Sequence, residues 1–296
     1  MWDRFRENPP AKYYCSLTGG INASKTYYLI TLINALLNPD SDTETLFRRY
    51  GIEEIEIIDP VSWNLYKDLL YQCKMLHLEF TDQFRPLGFF NLIMRFENKV
   101  YEIVLFNSSG EKIEDEYLLR KFKTDSHEMK GAATLCFVDP REDTKLNKIL
   151  EFPKIDTCTN YEFANHVYKV MQVVNGRVKI VNNPLAVCIS KFDLLLHRVP
   201  YQVPEHPFVE AHSRDFFGDI QSTSEKLKTF LHDCSQTVRP EDLEKKFSCL
   251  NYFAIAPFGS DMKPADWDKR SPKGILAPFF WVLKERKIIN DGNGTY

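Results

Sequence analysis

The sequence predicts an α/β fold, a mixed sheet of about six strands with helices on both faces, on three observations. Short apolar runs suited to buried strands alternate with longer stretches of helical spacing. Two of those runs lie too close together for a crossover, so one strand must run against the others. The first run passes through a glycine-containing loop straight into a helical stretch, which places a ligand site at the C-terminal ends of the strands.

The strand signals fall at 13–17, 89–96, 100–106, 133–138, 185–189 and 252–256. Only Glu97, Asn98 and Lys99 separate the second from the third, so these two form an antiparallel hairpin and 89–96 is the reversed strand. Helical spacing covers 26–37, 62–76, 117–122, 161–174, 222–232 and 274–286; in the fourth of these Tyr161, Ala164, Tyr168, Met171 and Val174 share one face. No internal repeat and no Gly/Ser linker divides the chain. It reads as one domain over 1–296 with insertions at about 38–87 and 194–221, the second rich in Pro and His and expected on the surface.

Composition narrows the function. The 296 residues are 44% hydrophobic and 27% charged with Gly 12, a folded profile that excludes collagenous and disordered classes. A net charge of -3 gives no bulk positive field for a nucleic-acid backbone. The longest apolar run, 275–283, falls far short of the ~20 residues that cross a bilayer, and the charged, proline-containing start lacks the apolar centre of a secretory signal. The 7 Cys include no CxxC pair and fit reduced core thiols in a cytoplasmic protein. His197, His206 and His212 sit among prolines with no metal-binding spacing, which favours solvated loop histidines over ligands.

Cys15 to Leu29 carries the strongest chemical signal. The pattern G-x-x-x-x-G-K-[S/T] needs a loop whose amides wrap a phosphate at a helix N-terminus, a Lys that reaches the β and γ phosphates, and a hydroxyl for Mg²⁺. Gly19, Lys25 and Thr26 match it, and Ser24 stands where the pattern has its second Gly. A plain strand-helix turn is the alternative. The run 100–106 leads into Asn107-Ser108-Ser109-Gly110-Glu111, and 185–189 into Ser190-Lys191-Phe192-Asp193. By itself the latter suits a helix N-cap as well as a base reader.

In this order the segments resemble the phosphate-loop GTPases of the translation-factor and Ras-like (TRAFAC) class, and most closely the double-GTPase-type proteins of bacterial conflict and defence gene clusters. The similarity extends over roughly 13–286, including GGINASKTYYL, SSGE, LCFVDP, ISKFDLL, YFAIAPFG and ILAPFFWVLKER. It implies a P-loop NTPase three-layer sandwich and a GTP-binding switch with slow, partner-dependent hydrolysis, using GTP/GDP and Mg²⁺ and an unidentified protein partner, in a bacterial defence setting.

By the same resemblance Gly19, Gly20, Asn22, Ala23, Ser24, Lys25, Thr26, Tyr27, Gly110, Lys191, Asp193, Ala256 and Phe258 contact the nucleotide. Thr26, Thr81 and Asn107 hold the metal, and Lys25, Thr81 and Glu111 take catalytic roles. Thr81 is the switch threonine or an ordinary strand threonine. Glu111 orients water, repels the γ phosphate, or simply opens a helix.

The departures from the pattern support a second expectation, a pseudo-GTPase kept as an interaction module with weak or no nucleotide binding. Ser24 adds a Cβ to a loop that favours glycine, Asn107 lacks the charge of the usual Asp, and Pro257 has no N-H for guanine O6. Asp139, after 135–138, either replaces the missing carboxylate or caps the following turn.

Overall fold

Period-two alternation of apolar residues builds a sheet with a core on each face. The computed structural model describes residues 9–20, 23–75, 88–107, 132–150, 167, 179–198, 203–257 and 271–290. Within them the strands are β1 (Ala11–Gly19), β2 (Ile52–Ile57), β3 (Gly88–Phe96), β4 (Lys99–Asn107), β5 (Ala133–Val138), β6 (Leu185–Ile189) and β7 (Leu250–Ala254). They form one 7-stranded sheet in the order β2-β3-β4-β1-β5-β6-β7. β3 is antiparallel to both its neighbours, and every other pair is parallel, so one strand alone runs against the rest.

Leu17, Leu105, Leu135, Phe137 and Cys188 face one core, while Cys136, Val138, Val187, Ile189 and Tyr252 face the other. The helices α1 (Lys25–Leu37), α2 (Ser41–Arg49) and α8 (Leu276–Glu285) cover the first core. The second is covered by α4 (Thr144–Leu150), α5 (Phe192–Arg198), α7 (Pro240–Glu244) and most of α6 (Phe216–Cys234). The result is a three-layer α/β sandwich, as the sequence predicts. No helix among the described residues is long and apolar enough to cross a membrane.

Two expectations need correction. The stretch 38–87 holds α2, the edge strand β2 and the whole of α3 (Pro60–Met75), so the sheet has one strand more than the sequence suggested. β2 reads IEEIEI, and a register shift between Ile52 and Glu54 breaks its alternation, which hides it from a periodicity test. Its acids also suit an edge strand, where charge discourages further pairing.

The stretch 194–221 is not merely a surface excursion. Val209 is buried, and the Phe208 ring packs edge-on against Phe192 with centroids 6.0 Å apart. Phe216 and Phe217 enter the first core beside Tyr50 and Phe280. Burying these rings outweighs the loop-forming tendency of the surrounding Pro and His. His206 and His212 are exposed, and no cluster of three metal-ligating residues occurs among the described residues. Cys15, Cys136 and Cys188 are free, buried thiols. The expected helix 117–122 lies outside the described residues; within 161–174 only Val167 is described, and it is helical and buried.

The hairpin turn shows how the sequence meets a geometric demand imperfectly. Glu97 (φ 44°) and Asn98 (φ 63°) both adopt the left-handed conformation, as a two-residue turn between right-twisted strands requires. Asn tolerates this conformation better than Glu does. Replacing the pair with Asn-Gly is expected to stabilise the protein by about 1 kcal/mol, read as a higher midpoint in thermal or urea unfolding. An unchanged or lower midpoint would contradict the turn geometry.

Candidate functional site

The parallel strands β1, β5 and β6 end side by side, and the loops that leave them converge. Gly19 pairs with Phe137, while Val138 pairs with Ile189. Gly19 takes φ 138°, and a Cβ there would collide with the Phe137 carbonyl oxygen, so close strand approach requires glycine.

The chain then turns into α1. Ser24, at the N-cap, sits at φ 61° and ψ 19°, so the backbone keeps the left-handed conformation that a glycine would supply despite the added Cβ. Its side chain makes no capping bond, while its carbonyl accepts from the Tyr28 N-H at 2.9 Å. No acidic residue lies in the first turn of α1, which leaves the positive end of the helix dipole uncompensated from within that turn. Beneath the loop, the buried Tyr28 ring packs against Phe137 with centroids 4.9 Å apart.

Lys25 is buried, and its ammonium folds back over the loop. Nζ donates to the Gly19 carbonyl at 2.8 Å and to the Gly20 carbonyl at 2.5 Å. Both acceptors belong to the segment between β1 and α1, so the ammonium is held against the backbone that leads into the helix. Thr26 and Tyr27 follow in the first turn, half-buried. Ala23 is buried, and its N-H donates to Gly20 at 3.3 Å. Asn22 lies outside the described residues, as do Thr81, Gly110, Glu111 and Phe258. Asn107 ends β4 in register with Leu17 of β1, which puts its backbone at the loop end of the sheet.

The segment after β6 comes to the same place. Ser190 Oγ donates to the Val138 carbonyl at 3.0 Å, and Lys191 (φ 52°) directs its Nζ to Asp139 Oδ2 at 2.6 Å. Asp193 is buried in the first turn of α5. On the far side, Ala256 closes a two-bond bridge with Lys273: each N-H donates to the other's carbonyl at 3.0 Å. The Ala256 N-H, at one edge of the expected base-contacting loop, is therefore already engaged.

Asp139 caps the turn that follows β5. Its side chain accepts from the Arg141 N-H at 3.0 Å at the start of the 3-10 turn Pro140–Glu142, which matches the turn-capping alternative. Both carboxylate oxygens are also held by the Arg141 guanidinium, at 2.6 Å from Nη2 to Oδ2, and Lys191 shares Oδ2. With no exposed surface, burial alone would raise the Asp139 pKa, but Arg141 and Lys191 outweigh it and hold the carboxyl below its ordinary 3.8. Burial draws Lys191 down from its usual value against the pull of Asp139, with the Arg141 charge adding to the fall.

Two residues that sequence reasoning missed, Arg141 and Glu142, join this cluster. An ideal Cβ on Gly20 would lie 2.6 Å from Glu142 Oε1, so the Glu142 carboxylate rests directly against the loop. The signal was the charged run PRED after an apolar strand: charges that follow a strand adjacent to β1 are delivered to the loop. Asp143 anchors that turn from behind. Its carboxylate accepts from the N-H groups of Lys145 (2.9 Å) and Leu146 (3.0 Å), from Ser235 Oγ (2.6 Å), and from the N-H groups of Gln236 (2.9 Å) and Thr237 (2.7 Å).

No family model and no curated protein matches the chain. Among solved structures, the chain is similar to a Methanosarcina barkeri Roco2 RocCORdC structure bound to GDP, at 12% identity and TM-score 0.40, covering 98% of this chain and 53% of that one. It is also similar to the S. cerevisiae Ski7 GTPase-like domain bound to GTP, at 15% identity and TM-score 0.41, covering 97% and 52%. A sup35 structure complexed with GMPPNP matches at 11% identity and TM-score 0.33, covering 90% and 44%. The chain thus spans about half the length of these structures.

Two outcomes follow from the geometry. Ser24→Gly relieves a left-handed serine without losing a capping bond, so it should stabilise the protein by about 0.5–1 kcal/mol; a loss of stability in urea unfolding would contradict the backbone conformation. Asp139→Asn leaves two cations without their carboxylate and should destabilise by about 3 kcal/mol. Because the folded carboxyl titrates below its unfolded value, its contribution is full above about pH 4 and disappears as pH falls through the folded value. The gap between wild type and Asp139→Asn should therefore close in acid and stay constant from about pH 5 to pH 8; a gap that widened in acid would contradict the pairing.

Proposed function

We propose that the protein binds a guanine nucleotide, GTP or GDP, on the loop from Gly19 to Thr26 and acts as a nucleotide-dependent switch. The observation that carries this reading is the Lys25 ammonium held on the Gly19 and Gly20 carbonyls at the start of α1, with the SKFD turn converging from β6. In that arrangement loop amides and Lys25 bind the phosphates, and Asp193 accepts hydrogen bonds from the two guanine N-H groups that adenine lacks. Mg²⁺, when bound, would neutralise phosphate charge; the Thr26 hydroxyl suits it, together with Asn107 at the end of β4 and Thr81. Thr26 follows Lys25 directly on α1, and Asn107 supplies a neutral oxygen where a carboxylate would bind the ion more strongly.

Hydrolysis in this reading is slow and partner-dependent. Electrostatic stabilisation dominates phosphoryl transfer, and the Arg141 guanidinium is engaged by Asp139. Turnover by the isolated protein should sit in the intrinsic range of about 10⁻⁴ to 10⁻² per second. Glu111 is the proposed water-orienting residue, and the protein partner completes the site. A setting in bacterial defence rests on the sequence resemblance alone.

A second reading, a pseudo-GTPase that serves as an interaction module, is favoured by one feature: Lys191 is paired with Asp139, and the Ala256 N-H is bonded to Lys273, so two groups of the base site already have partners. Calorimetry with GDP, GTP and ATP separates the two. The switch reading expects GTP and GDP to bind more tightly than ATP, Asp193→Asn to weaken GTP binding on the order of tenfold to a hundredfold, and Lys25→Ala to abolish binding. Equal binding of ATP and GTP would remove the guanine assignment, and full binding by Lys25→Ala would remove the site.

A further inference from the structure

The turn after β5 holds a carboxylate against the phosphate loop. Glu142 is partly buried, and its side chain fills the space beside Gly20 that any other residue's Cβ would need. Its backbone has little freedom to withdraw: the Glu142 N-H donates to the Asp139 carbonyl at 2.9 Å, and the next residue is Asp143, itself held by five hydrogen bonds. Only rotation of the side chain can clear the loop.

We propose that Glu142 is a built-in competitor for the anion at this loop, a carboxylate that lies where it opposes an incoming phosphate and must move aside before the nucleotide seats. The proposal rests on the nucleotide reading above and adds a regulatory element to it. The charges around Glu142 explain why the closed arrangement is self-sufficient. Lys25 from α1, Lys191 from the turn after β6 and Arg141 from Glu142's own turn after β5 supply three cations, against the carboxylates of Asp139 and Glu142. A phosphate group adds negative charge to a cluster already close to balance, and it meets Glu142 as a like charge.

The same surroundings make Glu142 sensitive to proton concentration. Burial, and next the Asp139 carboxylate, raise its pKa above the ordinary 4.5, while Lys25, Lys191 and Arg141 pull the other way and lose. Lower pH neutralises the competitor, so phosphate binding tightens as pH falls toward that raised value.

The test is calorimetric titration of the full chain with GDP and with pyrophosphate, using wild type, Glu142→Gln, Glu142→Asp and Lys25→Ala. Glu142→Gln removes the charge, and Glu142→Asp withdraws it by one methylene; both should bind the two probes on the order of tenfold more tightly than wild type. As pH falls toward the raised Glu142 value, wild-type affinity should gain on that of Glu142→Gln titrated over the same range, a comparison in which protonation of the probe's own phosphates cancels. Should Glu142→Gln fail to fold, Glu142→Asp gives the same comparison. Binding seen only in the Glu142 variants would also support the proposal. Unchanged or weaker binding in both Glu142 variants, with Lys25→Ala still abolishing it, would overturn the competitor and leave the nucleotide reading intact. Absence of binding to wild type and to both Glu142 variants would overturn both.

Discussion

One buried carboxylate organises the functional end of this molecule. Asp139 has no exposed surface, and a lone charge so placed would be expelled or neutralised. It persists because Arg141 and Lys191 both bind it, and each tie fixes a different segment: Arg141 the turn after β5, Lys191 the turn after β6. Since β5 lies beside β1, the knot sits next to the loop that opens α1. Asp143 secures the same turn to the end of α6 through Ser235 and the two residues that follow it. Together these bonds give the loop a rigid wall, and Glu142 projects from it toward Gly20.

Against that wall, Ser24 takes a left-handed backbone at the start of α1, where the sequence pattern has a glycine. Ser24 accepts a left-handed conformation at a cost of about 1 kcal/mol, which means the surrounding structure holds the shape without the residue best suited to it. Lys25 is satisfied by carbonyls of the loop itself, and Lys191 by Asp139. The three cations of this cluster, Lys25, Lys191 and Arg141, therefore each have an internal partner. In the proposed nucleotide reading, a phosphate would have to compete with those partners, which makes charge the term that decides binding.

The fold was largely legible in the sequence because its strands are short apolar runs and its connections are either too short or long enough for a crossover. The hairpin 89–106 told the direction of β3 before any coordinates. β2 escaped because acids at three of its positions and a register shift erase the period-two signal. The burial of Val209 and of the rings at Phe216 and Phe217 escaped because Pro and His around them mimic a loop. At the site, the residue types of the loop and of SKFD were readable as motifs, whereas the Asp139 knot and the position of Glu142 depend on β5 lying between β1 and β6. That order is a tertiary fact, and no local pattern encodes it.

The central claim, that nucleotide phosphates seat on the Gly19–Thr26 loop beside the Asp139 knot, is tested most directly by amide hydrogen exchange with and without saturating GDP. The account predicts slower exchange confined to the segment from Leu17 to Tyr28 and to the segment from Ser190 to Asp193, with ATP giving a smaller effect. Unchanged exchange in both segments, or protection that appears only elsewhere in the chain, would contradict it.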